Sequence, residues 1–149
     1  MKTLIACYSF TGNTLKAAES LKKATGADLV RIEPVKDTNY LMKCVNALLK
    51  RRTPIKPCTT DLRGYDAVVI CTPVWASSAP PGVNQYMDEL KNADGKKFAV
   101  LVSYGGSGDK SVVSQVRAAL ESKKMTFIDA LAIRSSETVS FDALAARLK

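Results

Sequence analysis

The loop whose residues could best do chemistry follows the first apolar run of the chain and reads SFTGNT over residues 9–14. Its uncharged hydrogen-bonding side chains are those of Ser9, Thr11, Asn13 and Thr14. A helix predicted from Asn13 onward leaves the N–H groups of its first turn without intrahelical partners, and its dipole adds partial positive charge there. Gly12 permits a tight turn and a close backbone approach. These features favour the binding of a phosphate dianion. A plain N-cap with a polar turn is the alternative, although one hydroxyl would suffice for it.

Other phosphate-binding motifs do not fit this loop. It lacks the G-x-x-x-x-G-K-[ST] pattern of a nucleoside triphosphate loop and the G-x-G-x-x-G pattern of a dinucleotide fold. A tyrosine phosphatase loop would start at Cys7 and require arginine where this chain has Asn13, so its bidentate phosphate partner is missing. A response-regulator receiver requires acidic residues at the ends of the first and third strands, where the chain has Ser9 and Thr72.

Catalysis by histidine and zinc binding are not predicted for this chain. It contains no histidine, and its four cysteines form no C-x-x-C pair; they are Cys7, Cys44, Cys58 and Cys71. A zinc site is therefore not expected, and serine–histidine or cysteine–histidine catalysis is excluded. Three of the cysteines, at positions 7, 44 and 71, lie in apolar contexts, so we expect them to be buried structural thiols. We predict no catalytic side chain and no metal ligand.

Five β-prone runs alternate with segments of helical periodicity and must position the loops. The runs are TLIACYS, DLVRIEPV, YDAVVICTPVW, KKFAVLVSY and TFIDALAI. Helices are expected from Asn13 to near Gly26, over 40–49, from Pro81, from Asp109 to about Lys123, and from Ser140 as N-cap. This alternation predicts an α/β domain with a parallel sheet. Right-handed crossovers bring the carboxyl ends of the strands to one edge, where ligands of such sheets bind. The important loops therefore follow strands 1, 3 and 4.

Length, composition and charge limit the class of protein. At 149 residues, with 46% hydrophobic and 24% charged residues, the chain is expected to form one domain over residues 1–149. The first apolar run is too short for a signal peptide and no run suits a membrane span, so we expect a cytoplasmic protein without a membrane partner. The net charge is +8, and residues 43–56, KCVNALLKRRTPIK, contain no acidic residue. This basic segment is either a solvated surface or a docking site for an acidic partner or anion. No motif indicates nucleic-acid binding.

Three loop regions together resemble the flavodoxin family. They are SFTGNT, which matches S/T-x-T-G-x-T, then YDAVVICTPVW followed by APPGVNQYMDEL, and KKFAVLVSYGGSG. The resemblance covers essentially the whole chain. It implies a flavodoxin-like three-layer sandwich, with a five-stranded parallel sheet of order 2-1-3-4-5 and helices on both faces. It also implies FMN as cofactor. The implied FMN-binding residues are Ser9, Phe10, Thr11, Gly12, Asn13 and Thr14 in the first loop, Pro73, Val74, Trp75 and Ala76 in the second, and Ser103, Tyr104, Gly105, Gly106 and Gly108 in the third.

The second loop departs from the family pattern in one respect. In the resemblance the only tryptophan, Trp75, flanks the flavin ring; packing on the core is the alternative. The segment from Trp75 to Ala79 reads WASSA and lacks the glycine that the family often has there. Positive φ would cost about 1 kcal/mol more in such residues. We therefore expect weaker stabilisation of the one-electron-reduced flavin than in a typical one-electron flavodoxin.

The resemblance implies a low-potential electron carrier between redox partners. The alternative on the same scaffold is an NAD(P)H-dependent FMN or quinone reductase; a third possibility is a flavin-free interaction domain, against which the hydroxyl-rich loop argues. Many flavodoxins are acidic, whereas this chain is basic, so a protein partner is expected to have an acidic docking face. NAD(P)H or a quinone is the other expected partner. The segment from Asp37 to Arg63 could provide a lid or interface, and we expect a monomer or a weak dimer.

Overall fold

The computed structural model of the chain describes residues 1–8, 12–35, 41–42, 45, 49, 51–134 and 139–149. Within these residues the strands are β1 Thr3–Cys7, β2 Asp28–Arg31, β3 Ala67–Pro73, β4 Lys97–Tyr104 and β5 Thr126–Arg134. The helices are α1 Asn13–Thr25, α2 Pro81–Glu89, α3 Asp109–Glu121 and α4 Asp142–Arg147. No helix in this part of the chain combines the length and the apolar character that crossing a membrane requires.

All five strands pair in parallel in the order β2-β1-β3-β4-β5, which confirms the predicted flavodoxin-like topology. Every residue of β1 is buried, as are the first six of β3, because both faces of these central strands are covered. In the register, Cys7 lies opposite Cys71, and Cys71 lies opposite Leu101. The carboxyl ends of the three central strands therefore meet at one edge of the sheet.

Helices pack on both faces of the sheet, as predicted, and each face has its own apolar core. The helical residues buried on one face come from α2 and α3 and include Val83, Tyr86, Met87, Val112, Val116 and Leu120. Those on the other face are Ala18 and Leu21 of α1 and Leu144 of α4, and Leu148, directly after α4, packs with them. Their spacing of three or four residues follows the helical period. Packing in these two cores fixes the N-termini of the helices relative to the carboxyl edge of the sheet.

Several element boundaries differ from the predicted ones. Strand β2 ends at Arg31 rather than near Val35, because Pro34 cannot donate a backbone hydrogen bond; residues around Pro34 instead pair antiparallel with those around Ile55. Helix α4 begins two residues after Ser140, whose Oγ accepts the N–H of Asp142 at 3.2 Å. Strand β1 ends at Cys7 and not at residue 9.

The helix predicted over 40–49 lies largely outside the described residues. The N–H of Leu49 donates to the carbonyl of Val45 at 3.0 Å, which is the helical spacing. Its described apolar side chains are not buried: Leu41 is 71% exposed and Leu49 is 54% exposed. The described apolar residues of this stretch are therefore not packed on the core, and its other apolar residues lie outside the described ones.

Candidate functional site

The loops after β1, β3 and β4 lie side by side, because these three strands are neighbours in the sheet. Of the implied FMN-binding residues, Ser9, Phe10 and Thr11 fall outside the described residues. The structure places all the others at this edge, in the three connections from strand to helix or in the strand ends and helix start that adjoin them. The sequence-based selection of loops therefore corresponds to one continuous region.

The start of α1 has an open backbone approach. Gly12 has a φ of 92°, and a Cβ placed on it would meet nothing within 4 Å. The N–H of Lys16 donates to the carbonyl of Gly12 at 3.0 Å; the N–H groups before it belong to the helix start and have no helical acceptor. Asn13, the next residue, is exposed. An anion could therefore approach the helix N-terminus without meeting a side chain of Gly12.

A part-buried pair of hydroxyl groups joins the start of α1 to the end of β4. Thr14 Oγ1 lies 2.6 Å from Ser103 Oγ, and Thr14 is only 2% exposed. Either oxygen can be the donor. The pair carries two hydroxyl protons, and the bond between them uses one. Ser103 is the second-last residue of β4, 89 residues further along the chain, so this contact helps to set the distance between the first loop and the glycine-rich third loop.

The second loop contains a turn with unusual backbone angles. Trp75 and Ser78 exchange two hydrogen bonds, from N–H to carbonyl, of 2.8 and 2.9 Å. Between them, Ala76 has a φ of 49° and Ser77 a φ of 58°, so both central residues are left-handed although neither is glycine. This conformation costs roughly 1–2 kcal/mol per residue. The chain thus adopts the positive φ that the lack of glycine was expected to disfavour, and tertiary contacts must offset the cost.

One of these contacts comes from the third loop. Gly108 has a φ of 96°, and a Cβ placed on it would lie 2.8 Å from Val74 Cγ1 and 3.0 Å from Ser77 Cα. The backbone at Gly108 therefore packs directly against the turn, which leaves no room for a side chain. Gly105 and Gly106 differ: they are exposed, and added Cβ atoms would meet nothing within 4 Å. Their backbone is open to a ligand.

Two aromatic side chains, Tyr8 directly before the first loop and Trp75 in the second, pack against each other. The rings of Tyr8 and Trp75 meet edge to face, with centroids 5.4 Å apart and planes at 84°. Tyr8 is buried, whereas Trp75 is half-buried. Trp75 therefore packs against core residues, as the alternative for this side chain expected, and keeps an accessible part; its position beside the flavin ring stays a prediction. Tyr8 was not among the predicted site residues, although an aromatic residue directly before the loop was a usable signal.

Tyr104 is the last residue of β4, at the start of the third loop, and is half-buried. The Arg134 guanidinium carbon is 5.8 Å from the centre of its ring, within the range of a cation–π contact. Strand β5 supplies this charge, because Tyr104 and Arg134 are paired in the sheet register. The carboxyl end of β5 therefore supplies a charge beside the third loop. The predicted loops were those after strands 1, 3 and 4, so Arg134 was not among the predicted site residues.

A chain of hydrogen-bonded side-chain amides holds the backbone directly after this turn. The Ala79 N–H donates to Gln115 Oε1 at 3.0 Å, and Gln115 Nε2 donates to Asn84 Oδ1 at 3.0 Å. Asn84 Nδ2 in turn donates to the Arg51 carbonyl at 3.3 Å. Gln115 is in the middle of α3 and Asn84 is in α2, so no loop motif indicated them. Ala79 follows the turn directly, which makes this contact part of the site.

The thiols near the site are buried, as expected for Cys7 and Cys71. Burial raises the pKa of Cys7 from 9.0 to about 12, and burial also raises the pKa of Cys71 well above its usual value. Because only the thiolate is nucleophilic, these groups are not suited to covalent catalysis. Cys44 lies outside the described residues. Within the part of the chain that the structure describes, no group of three or more potential metal ligands is found.

This donor set fits FMN. A helix start with an open glycine and uncharged hydroxyl groups suits a phosphate, and an aromatic wall opposite exposed glycine backbone suits a flat ring with one polar edge. Fold and site thus define a flavodoxin-like FMN-binding protein. Residues 3–138 match the family of NADPH-dependent FMN reductases, and the chain belongs to this family. The prediction of FMN as cofactor is confirmed by this membership.

Solved structures share the fold over nearly the whole chain. A protein from Bacteroides eggerthii provisionally assigned as a flavoprotein is 25% identical, with a TM-score of 0.80 over 97% of this chain and 94% of that one. A flavoprotein from Lactobacillus acidophilus solved in complex with FMN is 23% identical, with a TM-score of 0.77 over 88% and 92% of the two chains. The flavodoxin of Megasphaera elsdenii is 21% identical, with a TM-score of 0.64 over 97% and 95%. A comparison with curated protein sequences gives no significant match.

Proposed function

We propose that this protein is an NADPH-dependent reductase that works with bound FMN, which is the alternative that the sequence left open beside an electron carrier. FMN bound at this site would supply the chemistry of hydride transfer: NADPH would be oxidised to NADP⁺, and the two electrons, with the hydride's proton and one more from solvent, would reduce an acceptor such as a quinone or free flavin. The observation that carries the proposal is the family match over residues 3–138. Its site consists of the three adjoining loops.

We assign binding of the FMN phosphate to the first loop, through Ser9 to Thr14, with the N–H groups at the start of α1 as donors. The bond between Thr14 and Ser103 holds this loop beside the third. Pro73 to Ala76 and the third-loop residues from Ser103 to Gly106, with Gly108, then flank the ring. Trp75 and Tyr8 supply the apolar wall, and the exposed backbone of Gly105 and Gly106 supplies polar groups to the pyrimidine edge.

The turn from Trp75 to Ser78 supports two-electron chemistry. It is held by two internal hydrogen bonds, by packing on Gly108 and by the Gln115 amide on Ala79. A rearrangement that turned a carbonyl of this segment toward the flavin would disturb several of these contacts. A turn that does not rearrange gives little stabilisation to the one-electron-reduced flavin, and hydride transfer does not require such stabilisation.

The second candidate function is a low-potential electron carrier that docks with an acidic redox partner. The net charge of +8 favours it, because like charge distributed over a surface steers oppositely charged partners. However, part of the basic segment 43–56 is neutralised within the chain: Arg52 pairs with Asp88, and Lys56 lies 3.4 Å from Glu33. We therefore rank the carrier below the reductase. A cytoplasmic location and a monomeric or weakly dimeric state remain predictions.

A reduction experiment on the reconstituted protein separates these functions. The purified chain is loaded with FMN, gel-filtered, and mixed anaerobically with NADPH alone. Loss of the 450 nm absorbance with one NADP⁺ formed per flavin supports the reductase. A flavin that bleaches with dithionite but not with NADPH or NADH supports the carrier. If the protein retains no FMN, both proposals are wrong.

A further inference from the structure

We propose that Gln115 is a positioning residue that selects the conformation of the turn from Trp75 to Ser78, and thereby sets how tightly the protein holds oxidised relative to reduced FMN. This inference rests on the proposed function, in that it takes this turn to lie beside the flavin. Gln115 belongs to α3 and lies outside the three loops. Its influence on the flavin is exerted through the Ala79 N–H.

The direction of every hydrogen bond in this chain of amides is defined. Gln115 Oε1 accepts from the Ala79 N–H, and Gln115 Nε2 donates to Asn84 Oδ1, each at 3.0 Å. The other end of the Asn84 amide donates to the Arg51 carbonyl at 3.3 Å. Only a side chain with both an acceptor and a donor satisfies both neighbours. Glutamate offers no donor at neutral pH, and methionine has neither hydrogen-bonding group of the amide.

Three of the residues around these hydrogen bonds are buried, so the loss of a partner costs free energy. Ala79 is fully buried, Ser78 is 4% exposed and Asn84 is 7% exposed. A buried N–H without an acceptor costs more than the net value of a hydrogen bond. Gln115 is half-buried and its two hydrogen bonds are part-buried, so the cost arises mainly at the fully buried Ala79. A turn conformation that moved the Ala79 N–H away from Gln115 would therefore leave this buried donor without its acceptor.

The turn needs such a restraint because its backbone is strained. Ala76 and Ser77 both have left-handed φ values, which residues with a Cβ rarely adopt. The turn is fixed on three sides: internally by the bonds between Trp75 and Ser78, from the third loop by Gly108, and behind it by Gln115. Gln115 is the contact that a side-chain substitution can remove without altering the loops themselves.

The test compares Gln115→Met with a matched control, Gln85→Met. Gln85 lies on the neighbouring helix α2, where its amide bonds to Glu89 at the surface. A second variant, Gln115→Glu, keeps the acceptor for Ala79. Three properties are measured for each protein. The first is the fluorescence of Trp75, the only tryptophan, in the FMN-free protein, and the second is the Kd for oxidised FMN. The third is the ratio of the Kd for oxidised FMN to that for reduced FMN, which the midpoint potential of the bound flavin gives.

We expect Gln115→Met to shift the Trp75 emission to longer wavelength and to weaken binding of oxidised FMN about tenfold, the effect of one buried hydrogen bond. The ratio between oxidised and reduced FMN should also change, because the freed turn can adapt to each redox state. Gln115→Glu should lie closer to the wild type, and Gln85→Met should match it.

The inference is wrong if Gln115→Met lowers the melting temperature but equals Gln85→Met in Trp75 emission and in the FMN ratio, because Gln115 would then be only structural. A wild-type protein that binds FMN but is not reduced by NADPH overturns the reductase proposal alone, since dithionite still gives the ratio. A wild-type protein that does not bind FMN overturns both.

Discussion

Replacement of Gly108 by alanine tests whether the second and third loops work as one unit. The new Cβ would lie 2.8 Å from Val74 Cγ1 and 3.0 Å from Ser77 Cα. The valine methyl can rotate away, but Ser77 Cα is backbone and can move only with its turn. The substitution therefore pushes the turn off the glycine-rich loop while it changes no group that hydrogen-bonds a ligand.

The expected magnitude has two parts. At a φ of 96°, alanine costs roughly 1–2 kcal/mol relative to glycine. Overpacking of a close contact adds roughly 1–3 kcal/mol. Loops that move apart relieve part of the collision in the free protein, but binding FMN across both loops must restore their contact. FMN binding must then supply this overpacking energy of roughly 1–3 kcal/mol, so the FMN affinity should be roughly 5- to 150-fold weaker.

The control is Gly95→Ala, at the opposite end of the sheet. Gly95 also has a positive φ, of 78°, but a Cβ there would meet nothing within 4 Å. Urea denaturation gives the free energy of unfolding, and quenching of flavin fluorescence gives the FMN Kd. Gly95→Ala should lose only the backbone part of the stability and bind FMN like the wild type. Equal stability losses and equal FMN affinities for the two variants would refute the proposed coupling between the loops.

Three further predictions concern the same site. Thr14→Val should weaken FMN binding about tenfold, because it removes the Thr14 hydroxyl that hydrogen-bonds Ser103. Thr25→Val removes a hydroxyl that donates to the Leu21 carbonyl at the other end of α1, and it should reduce stability without changing the FMN Kd. Iodoacetamide followed by mass spectrometry should label Cys7 and Cys71 only after unfolding. The raised pKa values of both thiols keep them protonated in the folded protein. For Cys7, the free energy of unfolding should therefore fall as pH rises from about 9 toward about 12; native labelling of either thiol near pH 8 would contradict this. Stepwise photoreduction should accumulate little one-electron-reduced flavin, and a high yield of the blue form would refute the rigid-turn argument.

The sequence by itself was sufficient for the fold, and it was sufficient to select three loops that the fold brings to one edge of the sheet. Local signals determine which segments become strands and helices: apolar runs such as that of β3, and a proline at the first position of α2. A parallel sheet then follows from the alternation of these elements, since only right-handed crossovers pack well. The same reasoning located the three loops, because glycine and hydroxyl residues at strand ends are visible in the printed order of residues.

Only the tertiary structure decided how the loops hold one another. The pairing of Thr14 with Ser103 spans 89 residues, and the contacts of Gly108 and Gln115 with the segment from Val74 to Ala79 come from different elements. Such contacts depend on strand register and on the direction of each side chain, and packing of the whole sheet fixes both. For the same reason the left-handed angles of Ala76 and Ser77 could not be read from residue preferences, which describe the isolated backbone and omit the surrounding contacts that offset its strain.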